Sequence, residues 1–556
     1  MKIKVSELIV RYLERLGVEY IFGMPGAHIL PVYDSLYNSS VKSILAKHEQ
    51  GAAFMAGGYA RASGKIGACI TTAGPGATNL VTGIANAYAD KQPILIITGE
   101  TSTHIFGKGG LQESSGEGGA IDQESLFKGI TKYNKIVERT DYLGNVLNRA
   151  SKELFSDNPG PVLLSFPFNI QKELVDDDIL DNIRTEKIPF SIHQDSPSIN
   201  AFADLIIAAA NPVIVAGYGC IKSDGQQLVS QLSESIGIPV TSSLKGKGVI
   251  SEQSELSLGS LGVTSYSHAY SYIVEKSDLI IFLGAGFNER TSYLWDAKLL
   301  AGKKIVQVDN NYEQLEKVFK ADVAINGDIK AVLSAVLGNL QAKGVERKTI
   351  ESVQNQLDNL EDRSSETDSQ EFRSRFPLIE KLFVKLAQCF PKGIQVFDDN
   401  IIFAQNFFNV SSENRYYPNS GVSSLGHAIP AAIGARFTVD KPTFAILGDG
   451  GFQMCCMEIM TAVNYKLPLT IIMFNNSTMG LIRKNQFQQY EKRFINCDFE
   501  NPDYAYLARS FGINYKRVTD ESDLDDLFTN VDCAGAINLI EIMIDKDLFP
   551  SYTSRR

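Results

Sequence analysis

The chain has 556 residues, a formal net charge of −11, and 44% hydrophobic against 21% charged residues. That balance describes a globular protein of about two to four domains, each with its own core, and excludes a disordered or fibrous chain. The acidic total, with no Lys/Arg-rich block, excludes a nucleic-acid partner, yet it leaves room for an anionic substrate because a site's local charge need not follow the total.

Residues Met1 to Val10 run directly into an amphipathic helix pattern and lack the apolar core and cleavage site of a signal peptide. No uninterrupted apolar run approaches a membrane span. The seven cysteines, Cys69, Cys220, Cys389, Cys455, Cys456, Cys497 and Cys533, include no Cys-x-x-Cys pair. They read as reduced, mostly buried thiols of a cytoplasmic protein.

In the first unit an apolar run ends at Phe22-Gly-Met-Pro25-Gly26-Ala-His28. Val41 to Glu49 reads as a short strand, and Gln50 to Ala62, rich in Gly and Ala, as a closely packed helix. Glu49 stands at their junction, where open α/β sheets hold ligands. The alternative is a first-turn glutamate that only answers the helix dipole. A Gly-rich turn follows at Thr72-Ala-Gly-Pro75-Gly-Ala-Thr-Asn79, and then Leu111-Gln112-Glu113. The Gly- and Ser-rich loop from Ser114 to Ala120 reads either as a reshaped pocket wall or as passive surface.

Polar seams at 175–198 and 342–372 read as linkers, in part helical. They divide the chain into units at 1–175, 190–342 and 372–548. In the middle unit the runs Pro212 to Gly219, Asp278 to Gly286 and Lys304 to Asp309 are apolar strands ending in Gly or Asp, the pattern of a doubly wound domain. Gly217-Tyr-Gly219 alone is weak evidence for a nucleotide.

The third unit carries the most informative stretch. Phe444 to Leu447 stops at Gly448-Asp449-Gly450-Gly451, and Leu469 to Phe474 stops at Asn475-Asn476. Strand–turn–helix–strand places Asp449 and Asn476, 27 residues apart, at the ends of two strands on one side of a sheet. Two hard oxygen ligands beside a Gly-rich turn suit Mg²⁺ carrying a diphosphate. Cys455-Cys456, on the helix that follows, read as core packing rather than redox chemistry. The C-terminal residues Phe549 to Arg556 fold over the site or fray. The expected architecture is α/β, with three doubly wound parallel-sheet domains.

Gly-Asp-Gly followed a little under thirty residues later by Asn-Asn resembles the thiamine diphosphate signature. That resemblance implies Asp449 and Asn476 as side-chain ligands of Mg²⁺, the carbonyl of Thr478 as a third, and diphosphate oxygens beyond. More broadly, Phe22 to Asp34, Lys47 to Ala53 and Thr72 to Asn79 resemble catalytic subunits of acetolactate synthase (acetohydroxyacid synthase). Gly160 to Leu164 and Pro430 to Ala435 fit less specifically, and the likeness spans essentially the whole chain. It implies pyrimidine-, central and diphosphate-binding domains. Glu49 becomes the acid that shares a proton with the pyrimidine nitrogen of the cofactor. Pro25, Gly26, Thr72, Pro75 and Asn79 would line that end. Ser424, Leu425, Gly448, Asp449, Gly450, Gly451, Asn476, Thr478, Met479, Gly480 and Leu481 would line the other, with Leu425 as the wedge that bends the cofactor. The implied activity joins pyruvate, or another 2-oxo acid, to a second carbonyl compound with loss of carbon dioxide. The implied assembly is a homodimer or homotetramer, with Glu49 of one subunit facing the metal site of another.

Several residues depart from that pattern. Gly26-Ala-His28-Ile resembles benzaldehyde lyase, whose histidine serves proton transfer; a histidine bonded within a turn is the alternative. Gln112 matches a glutamine that lines the family's site, with Gln123 as its competitor. Asn485 stands where biosynthetic acetolactate synthases place a tryptophan that helps select the larger keto-acid acceptor, and the sole tryptophan, Trp295, lies in another unit. Gly284-Ala-Gly-Phe-Asn-Glu-Arg290 differs from the family's Gly-Ala-Arg-Phe-Asp-Asp-Arg, which leaves FAD binding open. The adjacent histidine pair of pyruvate decarboxylases is missing, which counts against simple aldehyde release. Two other readings stand beside the first: a carboligase or lyase acting on aldehydes, hydroxy ketones or a sugar ketone, and a non-catalytic relative of the fold.

Overall fold

In the computed structural model of the chain, residues 1–187, 193, 196–345, 353–361 and 364–550 are described. Three parallel six-stranded sheets organise them. Their central strands are mainly apolar and buried along their whole length, as in Ile94–Glu100 and Leu469–Asn475, which is what helices on either side of a parallel sheet require.

Across the first sheet the strands lie in the order Lys42–Leu45, Tyr20–Gly23, Gly67–Thr71, Ile94–Glu100, Val162–Pro167, Tyr133–Ile136. Across the third they lie Arg415–Pro418, Gln395–Asp398, Thr443–Gly448, Leu469–Asn475, Ile537–Met543, Asn514–Val518. Counted along the chain within each domain, both sheets therefore follow one order, second, first, third, fourth, sixth, fifth. The middle sheet differs: Ser257–Ser260, Val240–Ser242, Pro212–Ala216, Leu279–Leu283, Lys304–Asp309, Val323–Asn326, the Rossmann order. In each sheet the strand order reverses beside the domain's first strand, and ligands bind beyond the carboxyl ends of strands at such points.

The first and third domains share one hydrophobic core. Helix Glu49–Ser63 crosses helix Ala428–Arg436 with backbone against backbone. A Cβ on Gly58 would stand 1.9 Å from the carbonyl oxygen of Ala431, and one on Gly434 would stand 1.9 Å from that of Met55. Only glycine permits this approach.

One element has no counterpart in the sequence expectation: Lys2–Lys4 pairs antiparallel with Leu174–Asp176. The second polar seam carries helices Val353–Asp358 and Ser364–Arg375 among the described residues. Most of the terminal segment, 551–556, lies outside the described residues, and with it the expectation that this segment folds over the site or frays. Phe549 is described; its ring packs on Phe487 at 5.3 Å between centroids. Among the described residues no helix is long and apolar enough to cross a membrane.

Candidate active site

The third-domain half forms where strand Thr443–Gly448 gives way to helix Asp449–Cys455, next to the end of Leu469–Asn475. Asp449 is buried, and its carboxylate gathers donors. Oδ2 accepts from the amides of Asn476 (3.2 Å) and Ser477 (2.7 Å) and from Nδ2 of Asn501 (2.8 Å), and Oδ1 accepts from the amide of Gly450 (3.0 Å). Burial pushes the acid up, and these bonds pull it back toward the ionised form. Asn476 accepts the Thr478 amide on Oδ1 at 3.3 Å, so these two expected ligand positions fall in one turn beside Asp449. The Thr478 hydroxyl is occupied elsewhere, on the carbonyl of Cys497 at 2.8 Å. Met479 covers the glycine turn: a Cβ on Gly450 would lie 2.9 Å from its Sδ. Helix Gly480–Gln489 follows, with Leu481 exposed at its start.

Among the described residues no group of three or more His, Cys, Asp or Glu stands ready for a metal. One carboxylate (Asp449), one carboxamide (Asn476) and one carbonyl (Thr478) would make an all-oxygen set of single negative charge. Such a set fits Mg²⁺ that takes its remaining ligands from a diphosphate and from water.

Three contributors carry no motif. Asn501 ties Asp449 to Oδ1 of Asn475 (2.9 Å) and is itself held by Tyr504 (2.7 Å). Asp399 clamps the segment around Leu425, accepting the amides of Gly426 and Ala428, each at 2.8 Å. Its carboxyl and that of Asp398 are each pushed up to about 7, chiefly by burial. His427, buried edge-on against Phe54 at 5.2 Å, is held neutral, its pKa pushed down to about 3 by burial. Leu425 itself is partly exposed beside Gly451, and Ser424 precedes it on the same segment.

In the first domain Glu49 opens helix Glu49–Ser63, and Asn79 Nδ2 donates to its Oε2 at 2.9 Å. Pro25 and Gly26 lie in the loop after Tyr20–Gly23; a Cβ on Gly26 would stand 2.5 Å from that of Thr72. Pro75 begins the short helix Pro75–Thr78, entered through Gly74 at φ +60°. Gln112 has φ +59°, an uncommon backbone for a side chain of this kind. Its Oε1 accepts from Nδ1 of His28 (3.3 Å) and from the hydroxyl of Thr72 (3.4 Å). The structure thus joins three expected residues into one polar cluster. Gln123, the competing glutamine, is buried instead and donates to the Thr98 hydroxyl at 3.1 Å. The loop at 114–120 folds back on itself, Ser115 bridging to Asp122, and lies largely exposed.

The middle domain offers a cleft of about 550 Å³ at its reversal point, lined among others by Gly219, Gly284, Gly286, Arg290 and Asp309. Nη1 of Arg290 is buried there without a hydrogen-bond partner among the described residues.

Models of thiamine pyrophosphate enzymes match the chain three times: the N-terminal TPP binding domain over residues 3–123, the central domain over 199–336 and the C-terminal TPP binding domain over 400–541. A probable acetolactate synthase large subunit of Methanocaldococcus jannaschii is 33% identical over 98% of this chain and 92% of its own length. One from Methanococcus aeolicus is 31% identical over 97% and 92%. The acetolactate synthase large subunit of Corynebacterium glutamicum is 31% identical over 97% and 86%.

Proposed function

The chain belongs to the acetolactate synthase large-subunit family of thiamine pyrophosphate enzymes, and from that premise we propose that it joins two pyruvate molecules with loss of carbon dioxide. The observation that carries the site assignment is Asp449, buried under the donors of residues 476, 477 and 501 at the switch point of the third sheet.

Bound thiamine diphosphate supplies a carbon nucleophile and the electron sink that lets carbon dioxide leave. The chain's residues do the rest. Asp449, Asn476 and the Thr478 carbonyl would hold Mg²⁺, and the glycine turn that begins at Gly448 would receive the diphosphate. Glu49, fixed by Asn79, holds the proton at the pyrimidine nitrogen. Leu425 would pack against the rings of the cofactor as the wedge between them. His28 and Gln112 meet the carbonyl of the acceptor, the histidine as proton carrier.

Glu49 and Asp449 lie in different domains, and each half-site has large exposed apolar side chains nearby: Leu30 and Leu111 on the first, Leu425, Met454, Leu481 and Ile482 on the third. Exposed apolar side chains around both half-sites favour closure by a second subunit, so we assign each complete site to a pair of chains. The middle cleft suits a phosphate-bearing dinucleotide such as FAD, with Arg290 Nη1 as the waiting donor. Flavin absorbance in the purified protein tests this.

The polar cluster at His28 and the Oδ1 of Asn485, buried without a partner among the described residues, favour a second reading, transfer to an aldehyde or hydroxy ketone. Incubation with pyruvate, cofactor, Mg²⁺ and a panel of acceptors, read by mass spectrometry, separates the two. Acetolactate as the sole product supports the first, and mixed acyloins the second. Glu49→Gln is expected to lower turnover by about a hundredfold or more while leaving Mg²⁺ and cofactor binding nearly intact. Near-normal turnover by that variant removes Glu49 from its role.

A further inference from the structure

We propose that Glu458, in the third domain and outside the cofactor motifs, is a positioning residue that fixes the activating glutamate of the first domain. The inference rests on the role given to Glu49 above.

Glu458 ends the short 3-10 turn Cys456–Glu458 that follows helix Asp449–Cys455, so it stands at the far end of the block that Asp449 begins. Its side chain is buried and leaves its own domain. Oε1 accepts the amides of Lys47 at 3.0 Å and His48 at 2.9 Å, the two residues directly before Glu49. Oε2 accepts the Thr461 hydroxyl at 2.9 Å, which fixes the carboxylate's orientation. One helix further on, the hydroxyl of Tyr465 accepts the Leu45 amide at 2.9 Å. Two consecutive elements of the third domain therefore hold three amides of the segment that delivers Glu49.

Those amides have little alternative. The strand ends at Leu45, and the helix begins at Glu49 with His48 as its cap. Residues 47 and 48 fall between two ladders, and a carboxylate that takes both satisfies donors that neither ladder reaches. Gly51 records the fit. A Cβ there would stand 2.2 Å from Oε1 of Glu458, so the carboxylate reaches its partners only because residue 51 has no side chain. A glutamate that only glued two domains together would have no need to bond the backbone next to the catalytic acid.

The test reads Glu49 directly. The exchange rate of the C2 proton of bound thiamine diphosphate is measured by quenched-flow NMR in the Mg²⁺-loaded enzyme, beside cofactor affinity and thermal midpoint. Glu458→Ala is expected to slow exchange by about a hundredfold, the cost of misplacing a reacting group by an ångström, with cofactor affinity little changed. Glu458→Gln keeps an acceptor oxygen for both amides and is expected to retain most of the rate. Gly51→Ala leaves both glutamates in place and is expected to slow exchange by displacing Glu458, which decides the matter should Glu458→Ala fail to fold. A lowered thermal midpoint with unchanged exchange in Glu458→Ala or Gly51→Ala overturns the proposal. Glu49→Gln serves as the reference: unchanged exchange in that variant overturns the underlying role of Glu49, whatever Glu458 does.

Discussion

At the scale of single residues, buried acids set the chemistry of this chain. Glu100 ends strand Ile94–Glu100, fully buried, with Oε1 accepting the amides of Thr101 (2.7 Å) and Ser114 (3.1 Å) and Oε2 without a partner among the described residues. Burial pushes its carboxyl from the ordinary 4.5 up to about 7. A folded-state pKa above the unfolded one means the native chain binds the proton more tightly. The contribution to stability is therefore full below the unfolded pKa and is lost as pH rises through about 7. Thermal midpoints measured from pH 5 to pH 8 are expected to fall less steeply in Glu100→Gln than in the parent. Asp398 and Asp399 act in the same direction and keep part of the slope. Asp449, Asn476 and Glu49 are legible in the sequence because each closes a strand or opens a helix within a spaced motif. Asn501, Asp399 and Glu458 are not. They reach their partners across 52, 27 and 411 residues of chain, and nothing local marks an asparagine or a carboxylate that will fold back so far.

At the scale of elements, the alternation of apolar strand and small-residue helix is legible, since runs ending in Gly, Asp or Asn declare strand ends. Strand order and the antiparallel ribbon that ties residue 2 to residue 176 are not, because they depend on how helices pack across the finished sheet. The crossing of Glu49–Ser63 over Ala428–Arg436 is a case in point. In the sequence Gly58 falls in a helix read as closely packed through its small residues, and in the fold Gly58 and Gly434 each open a slot for the other helix's carbonyl. Gly58→Ala and Gly434→Ala each drive a methyl group into backbone that cannot rotate away. Each is expected to destabilise the chain by about 1–3 kcal/mol, the usual cost of overpacking. Denaturant titration checks this, with Gly64→Ala as the contrast: a Cβ there meets no atom within 4 Å, and the cost is confined to its backbone at φ +72°.

At the scale of the whole molecule, the proposed pairing of chains makes a quantitative prediction. Glu49→Gln and Asp449→Ala subunits are each expected to be inactive alone. If each site takes its acid from one chain and its metal ligands from another, random mixed dimers carry one intact site. Unfolding and refolding the two variants together is then expected to restore about a quarter of parental activity, half the dimers being mixed with one working site of two. No recovery on mixing shows that acid and metal site belong to the same chain.

The backbone contact between the first and third domains has a mechanical consequence. A joint made of side chains can creep as rotamers change, but a joint made of carbonyls against glycines offers no such play. The two flanking domains therefore travel as one rigid piece, and the passage for substrate cannot open by their parting. It has to open at the rim, in the turns from Gly107 to Ala120, exposed from Gly116 to Gly119, and at the start of the helix that begins at Gly480, where Leu481 and Ile482 face solvent.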